Sequence, residues 1–241
     1  MLKTNFYRNL IIILLCLVAG IVDVIGYLNL GRVFTANMTG NIIIMGMAIG
    51  NLHTVSFLRS GVAFAGFIAG NAIARLFLGS RKPDGPWSSR LTILVVIQLI
   101  FFLIFALLAR DLLIPAVEYS LIVLLSFTMG MQTTMARRLG IAGISTTVLT
   151  NNMASVVEDV TAHLRQLARR DGTAARESWP VAETLLRVLA ILVYGGGAVI
   201  ATVVEQRIPL IAIWIVIVTM LIVLGIVLAV FHRKKQLSES K

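Results

Sequence analysis

Residues 19–50 read AGIVDVIGYLNLGRVFTANMTGNIIIMGMAIG, and how this stretch is read decides the fold. An apolar run carries one carboxylate, Asp23, breaks into polar sequence from Gly31 to Asn41, and then turns apolar again up to Gly50. The resumed piece, 37–50, reaches only ~21 Å at 1.5 Å per residue, short of the ~30 Å of a bilayer core. It is expected to enter the membrane and return on the same side. A second such piece, 144–157, starts in Ser145, Thr146 and Thr147, as the first starts in Thr35, Asn37 and Thr39. Residues of these types suit the amino end of a helix.

Longer apolar runs lie on either side of these two pieces, at 9–30, 57–79, 91–109, 118–136, 184–204 and 209–231. Each is near the ~20 residues a membrane-crossing helix needs, so six spans are predicted. The composition agrees: 58% of the 241 residues are hydrophobic, 13% are charged and the mean hydropathy is +0.93, which excludes an ordinary soluble domain. A net charge of +10 would suit a nucleic-acid binder, but the basic residues sit in short linkers between apolar runs. The orientation rule for membrane proteins accounts for them, and no nucleic-acid partner is expected.

The same rule sets the topology. With both short pieces re-entrant, 17 of the 21 lysines and arginines face the cytoplasm and only Arg32, Arg59, Arg110 and Arg207 do not; with both pieces crossing, the split is 13 to 8. Six spans with both termini in the cytoplasm is the expected arrangement. Lys3 and Arg8 ahead of Leu10–Ala19 imitate a secretory signal, yet the apolar run continues through Val22, Val24 and Ile25, so a retained first helix is expected. Cys16 is the only cysteine, which rules out an internal disulfide and a thiol metal cluster.

Two halves, 9–110 and 118–231, repeat one plan, and three spans in each half invert the second copy relative to the first. Gly20 and Asp23 align with Gly130 and Thr133, and Thr39-Gly40-Asn41 aligns with Thr150-Asn151-Asn152 across a one-residue gap. Further on, Gly66 and Gly70 are matched to Gly197 and Ala201. The fold expected is an all-α polytopic transmembrane bundle, six spans plus two short broken helices, in one domain of two inverted repeats. The polar segment 158–183 reads as a basic cytoplasmic linker whose Arg165, Arg169, Arg170 and Arg176 fix topology and also suit anionic lipid.

Asp23 is the strongest functional signal. A carboxylate inside a span costs about 2.5–3.5 kcal/mol on insertion scales and normally faces a bundle interior, as a proton relay or cation partner. The competing reading is a protonated side chain hydrogen-bonded to a neighbouring helix, near an interface marked by Tyr27. Asn37, Thr39 and Asn41 in the first short piece, and Thr146, Thr150 and Asn152 in the second, are expected to border a cavity. Non-helical backbone at membrane depth survives only in protein or beside water, although helix capping alone explains these residues equally well. Gln132 and Thr133 stand in the fourth span at positions that correspond to the Asp23 region in the repeat, with Thr134 beside them as helix–helix glue.

Gly46, Gly50, Gly61, Gly66 and Gly70 read as packing faces, which also admit a homo-oligomer, and Gly195-Gly196-Gly197 as a flexible point in the fifth span. Asp159 and His163 share a helix face but do not make a metal site, and a solvated helix end is expected there. No Ser/His/Asp order, HExxH or Walker pattern occurs, so neither an enzyme nor a cofactor is expected.

On AGIVDVIGYLNLGRVFTANMTGN at 19–41, MGMQ and ARRLG within 129–140 and TTVLT at 146–150, the chain resembles the YoaK-like bacterial membrane proteins, a family of unknown function. The resemblance implies a multi-span inner-membrane protein and brings no substrate. It departs from the family pattern at Gln132-Thr133, where Gln-Asn is common, and at Thr150-Asn151, where Thr-Gly is common.

The function expected from these residues is secondary transport or export of a small solute at the junction of the halves, with Asp23 as proton or cation partner. A membrane scaffold or assembly partner is the alternative, with the small-residue faces as its interface.

Overall fold

The structure, a computed structural model, describes residues 2–50, 54–79, 87–109, 114–139, 149–168 and 180–232. The described residues form helices α1 (Leu2–Asn29), α2 (Met38–Gly50), α3 (Thr54–Leu78), α4 (Ser89–Leu108), α5 (Pro115–Arg138), α6 (Leu149–Ala168), α7 (Val181–Glu205) and α8 (Ile213–Val227); a π-helical turn, Leu228–His232, continues α8. The protein is a polytopic helical bundle. The described helices α1, α3, α4 and α7, and α8 together with its π-helical continuation, are long and apolar enough to cross a membrane.

Six such helices were expected, and α5 is the exception. It has 24 residues, ample length, but Ser126, Thr128, Gln132, Thr133 and Thr134 lower its hydropathy. All five side chains are buried. A helix enclosed by other helices meets little lipid and can carry polar groups that a lipid-facing helix cannot.

The second short piece also differs from expectation. Instead of an apolar segment over 144–157, helix α6 runs through to Ala168 and takes up the first part of the predicted linker. Its sequence is amphipathic: Met153, Val157, Val160 and Leu164 recur at helical spacing along one exposed stripe. Averaged hydropathy hides that periodicity. Residues 140–148, where the piece was expected to start, lie outside the described residues.

Glycines set how the long helices cross. A Cβ on Gly20 of α1 would stand 2.2 Å from the Tyr194 carbonyl oxygen of α7, and one on Gly197 of α7 would stand 2.8 Å from the Leu17 carbonyl oxygen. The crossing of α3 and α5 is built alike, with Gly130 against the Phe67 carbonyl at 2.1 Å and Gly70 against the Phe127 carbonyl at 2.0 Å. In each pair the backbones touch, which only a residue without a side chain permits. Polar links fix direction: Asp23 meets Tyr194 and Asn29 meets Glu205, so α1 and α7 run parallel. The Arg59–Glu118 ion pair at 2.8 Å and the Thr134-to-Asn71 hydrogen bond make α3 parallel to α5.

After α1 the chain reverses at Gly31 (φ +74°) and Arg32 (φ +62°), and the Arg59 side chain of α3 packs against Gly31. So α3 begins where α1 ends, and the carboxyl ends of the α1/α7 and α3/α5 pairs lie at opposite ends of the bundle. The reversal does not leave the bundle. Thr35 to Asn37 fold back beside Asp23, six residues and ~9 Å before the end of α1. Helix α2, 13 residues long, thus starts at depth and is too short to cross on its own.

Candidate functional site

Asp23 anchors the broken segment. Its Oδ1 accepts hydrogen bonds from the backbone N–H groups of Thr35 (2.8 Å), Ala36 (2.7 Å) and Asn37 (3.3 Å), while the Tyr194 hydroxyl donates to Oδ2 at 2.5 Å. Asp23 is 4% exposed. A non-helical segment leading into a helix leaves its amides without partners in the chain, and a buried acceptor of opposite polarity satisfies several at once. The amides at 35–37 are therefore occupied by Asp23. Asn41 completes the turn: its Oδ1 accepts from Phe34 N–H at 2.9 Å and its Nδ2 donates to the Phe34 carbonyl at 2.6 Å. It is fully buried and shapes the loop.

Two cavities flank this bracket. The outer one, about 290 Å³, is lined by Gly20, Asp23, Val24, Tyr27, Leu28, Phe34, Tyr194, Ala198 and Thr202, toward the carboxyl ends of α1 and α7. The inner one, about 360 Å³, lies toward the carboxyl ends of α3 and α5; Asn37, Thr39, Asn71, Thr133, Arg137 and Thr150 supply its polar wall, and Phe67 and Tyr194 its aromatic one. Tyr194 is the one residue common to both linings.

The residues singled out in the sequence thus divide. Asn37, Thr39, Thr133 and Thr150 come together around the inner cavity, and Asp23 stands in the outer one behind Tyr194. Gln132 lines neither cavity: its Nε2 donates to the Leu15 carbonyl at 3.0 Å and ties α5 to α1. Asn152 is buried on α6 away from both linings, and Thr146 lies outside the described residues. Thr133 also donates to the Met129 carbonyl at 2.9 Å.

Some important residues gave a weaker signal. Tyr194 sits in an apolar span, where a tyrosine ordinarily reads as packing. Glu205 is the last residue of α7 and reads as a helix-end charge, yet it is 4% exposed and accepts from Asn29 Nδ2 (2.6 Å), Leu210 N–H (2.5 Å) and Ala212 N–H (2.8 Å). It holds the α7–α8 turn, in which Leu210 adopts φ +65°. Asp159, expected at a solvated helix end, is engaged by Arg187 Nη1 and the Thr184 hydroxyl, both at 2.6 Å, which bind α6 to α7.

Residues 11–226 match the family described as protein of unknown function (DUF1275). The chain belongs to this family. Among curated proteins it is 44% identical to the UPF0700 transmembrane protein YoaK of Bacillus subtilis (strain 168), over 88% of this chain and 90% of that relative. No solved structure matches the chain. Membership agrees with the resemblance carried by 19–41 and 129–150, and makes this a transmembrane protein of a family whose function is undescribed.

Proposed function

We propose that the protein is a secondary transporter or exporter of a small solute, working by alternating access between the two cavities. The observation that carries this reading is the position of Tyr194. It is the shared wall of two cavities that lie toward opposite ends of the bundle, and its hydroxyl is latched to a buried carboxylate. With the six-span topology, the outer cavity faces the external side and the inner one the cytoplasm. The Asp23–Tyr194 contact then lies at the boundary between the two cavities.

The halves supply the moving parts. Gly20 and Gly130, like Leu17 and Phe127, are 110 residues apart, whereas Phe67 and Tyr194, like Gly70 and Gly197, are 127 apart. These four residue pairs make equivalent contacts, which supports an inverted repeat in which α1 corresponds to α5 and α3 to α7. On that correspondence Gly197 answers to Gly70, rather than to Gly66 as the sequence alignment had it. Rocking of one half on the other exchanges which cavity is open. Helix α7 is continuous through Gly195–Gly197, and Gly195 and Gly196 have free space around them, so movement there meets no packed neighbour.

In this scheme Asp23 couples the solute to a proton. The side chain is surrounded by N–H and O–H donors rather than by the several oxygen ligands a metal cation requires, so the coupling ion is taken to be a proton. A proton on Asp23 weakens three amide bonds and the Tyr194 bond together, freeing the amino end of α2 and the shared wall in one event.

The test is flux in liposomes carrying the purified protein and an internal pH dye, challenged with a panel of small organic anions, polyols and amines. At least one solute should move and carry protons with it, and Asp23→Asn should abolish that coupling while the protein remains monodisperse. A folded wild-type protein that moves no solute in the panel overturns the proposal.

A further inference from the structure

We infer that the solute taken into the inner cavity is a small anion bearing a carboxylate or phosphate group. This rests on the transport reading above and concerns the same cavity. Arg137 is part of the lining, and among the described residues no carboxylate is. Among the described residues the Arg137 guanidinium has neither an acid partner nor a hydrogen bond.

Several other arginines are committed elsewhere. Arg59 is paired with Glu118 and Arg187 with Asp159. Arg75, Arg90 and Arg138 donate to the carbonyls of Phe77, Leu78 and Gly79 at the carboxyl end of α3, where cations complement the helix dipole. Arg137 is one residue from Arg138 and about 100° around the helix from it. It lines the cavity while its neighbour caps α3.

The remaining polar lining is neutral and rich in donors, with Asn37, Asn71, Thr39 and Thr150 around the space and the amino end of α2 at its edge. A planar guanidinium with five N–H donors matches carboxylate and phosphate oxygens in bidentate fashion. A cation entering the same space meets Arg137, with no acid in the described lining to offset it. The cavity, about 360 Å³, is of the size that holds a small-molecule ligand.

Proteoliposomes containing wild type, Arg137→Gln and Arg137→Lys are assayed for flux of succinate, inorganic phosphate, glycerol and choline, with calorimetric binding of the same four probes to protein in detergent. The expected result is flux and binding of succinate or phosphate alone, with apparent affinity falling about tenfold or more in Arg137→Gln and recovering in part in Arg137→Lys. Arg137 is exposed, so neither variant should disturb folding. Flux of glycerol or choline that Arg137→Gln leaves unchanged overturns the anion assignment and leaves transport standing. Binding of succinate or phosphate without flux overturns transport and supports the anion site, and absence of both for all four probes overturns the anion assignment too.

Discussion

The Tyr194 hydroxyl and the Asp23 carboxylate meet at 2.5 Å, joining the middle of α7 to the deep part of α1 beneath the start of α2. Because Asp23 also holds three backbone amides, the pair forms one network rather than two independent contacts. Tyr194→Phe should cost about 1–2 kcal/mol and Asp23→Asn about 2–3 kcal/mol, the range for hydrogen bonds to a charged group. The double variant should cost less than their sum. Thermal unfolding of the three variants in detergent measures this, and strict additivity would show that the tyrosine has no part in holding α2.

Close backbone approach at the two crossings predicts a sharp division among the glycines. Gly20→Ala and Gly130→Ala each place a methyl within about 2.2 Å of a carbonyl oxygen, so the helices must separate. A loss of about 3 kcal/mol or more, or failure to accumulate, is expected. Gly46→Ala and Gly61→Ala meet nothing within 4 Å and should be neutral or stabilise by up to about 1 kcal/mol through helix propensity. Fluorescence-detected size exclusion after heating distinguishes the two classes.

Glu205 should matter as much as a core residue. Glu205→Ala leaves Leu210 N–H, Ala212 N–H and the Asn29 amide without their acceptor and removes what keeps Leu210 in a left-handed conformation. A loss of about 2–4 kcal/mol is expected. Glu205→Gln, which keeps one acceptor oxygen, should recover part of it. Equal melting temperatures for Glu205→Ala and wild type would remove the clamp from the account.

Much of this could be read in advance, for physical reasons that differ from residue to residue. Asp23 stood out because an acid inside an apolar run has few affordable explanations, and α2 because thirteen residues cannot span a bilayer. Gly20 and Gly130 stood out because close helix contact tolerates only the smallest residues. Tyr194 could not be distinguished from the other aromatics of apolar spans, since its role depends on a partner 171 residues away. For α6, polar residues on one face cancelled the apolar stripe on the other in any averaged hydropathy, so a helix of 20 residues looked like a short segment and a linker. Arg137 was counted as a topology marker, because cavity position is a property of the packed bundle.

The account rests on two chambers at opposite ends of the bundle with Asp23 and Tyr194 between them. Labelling of single cysteines in a Cys16→Ser background with a membrane-impermeant maleimide, on intact and then on permeabilised cells, tests it most directly. Thr202→Cys should react in intact cells, and Thr150→Cys only after permeabilisation. Reaction of both from the same side would contradict the two-chamber arrangement and the transport reading built on it.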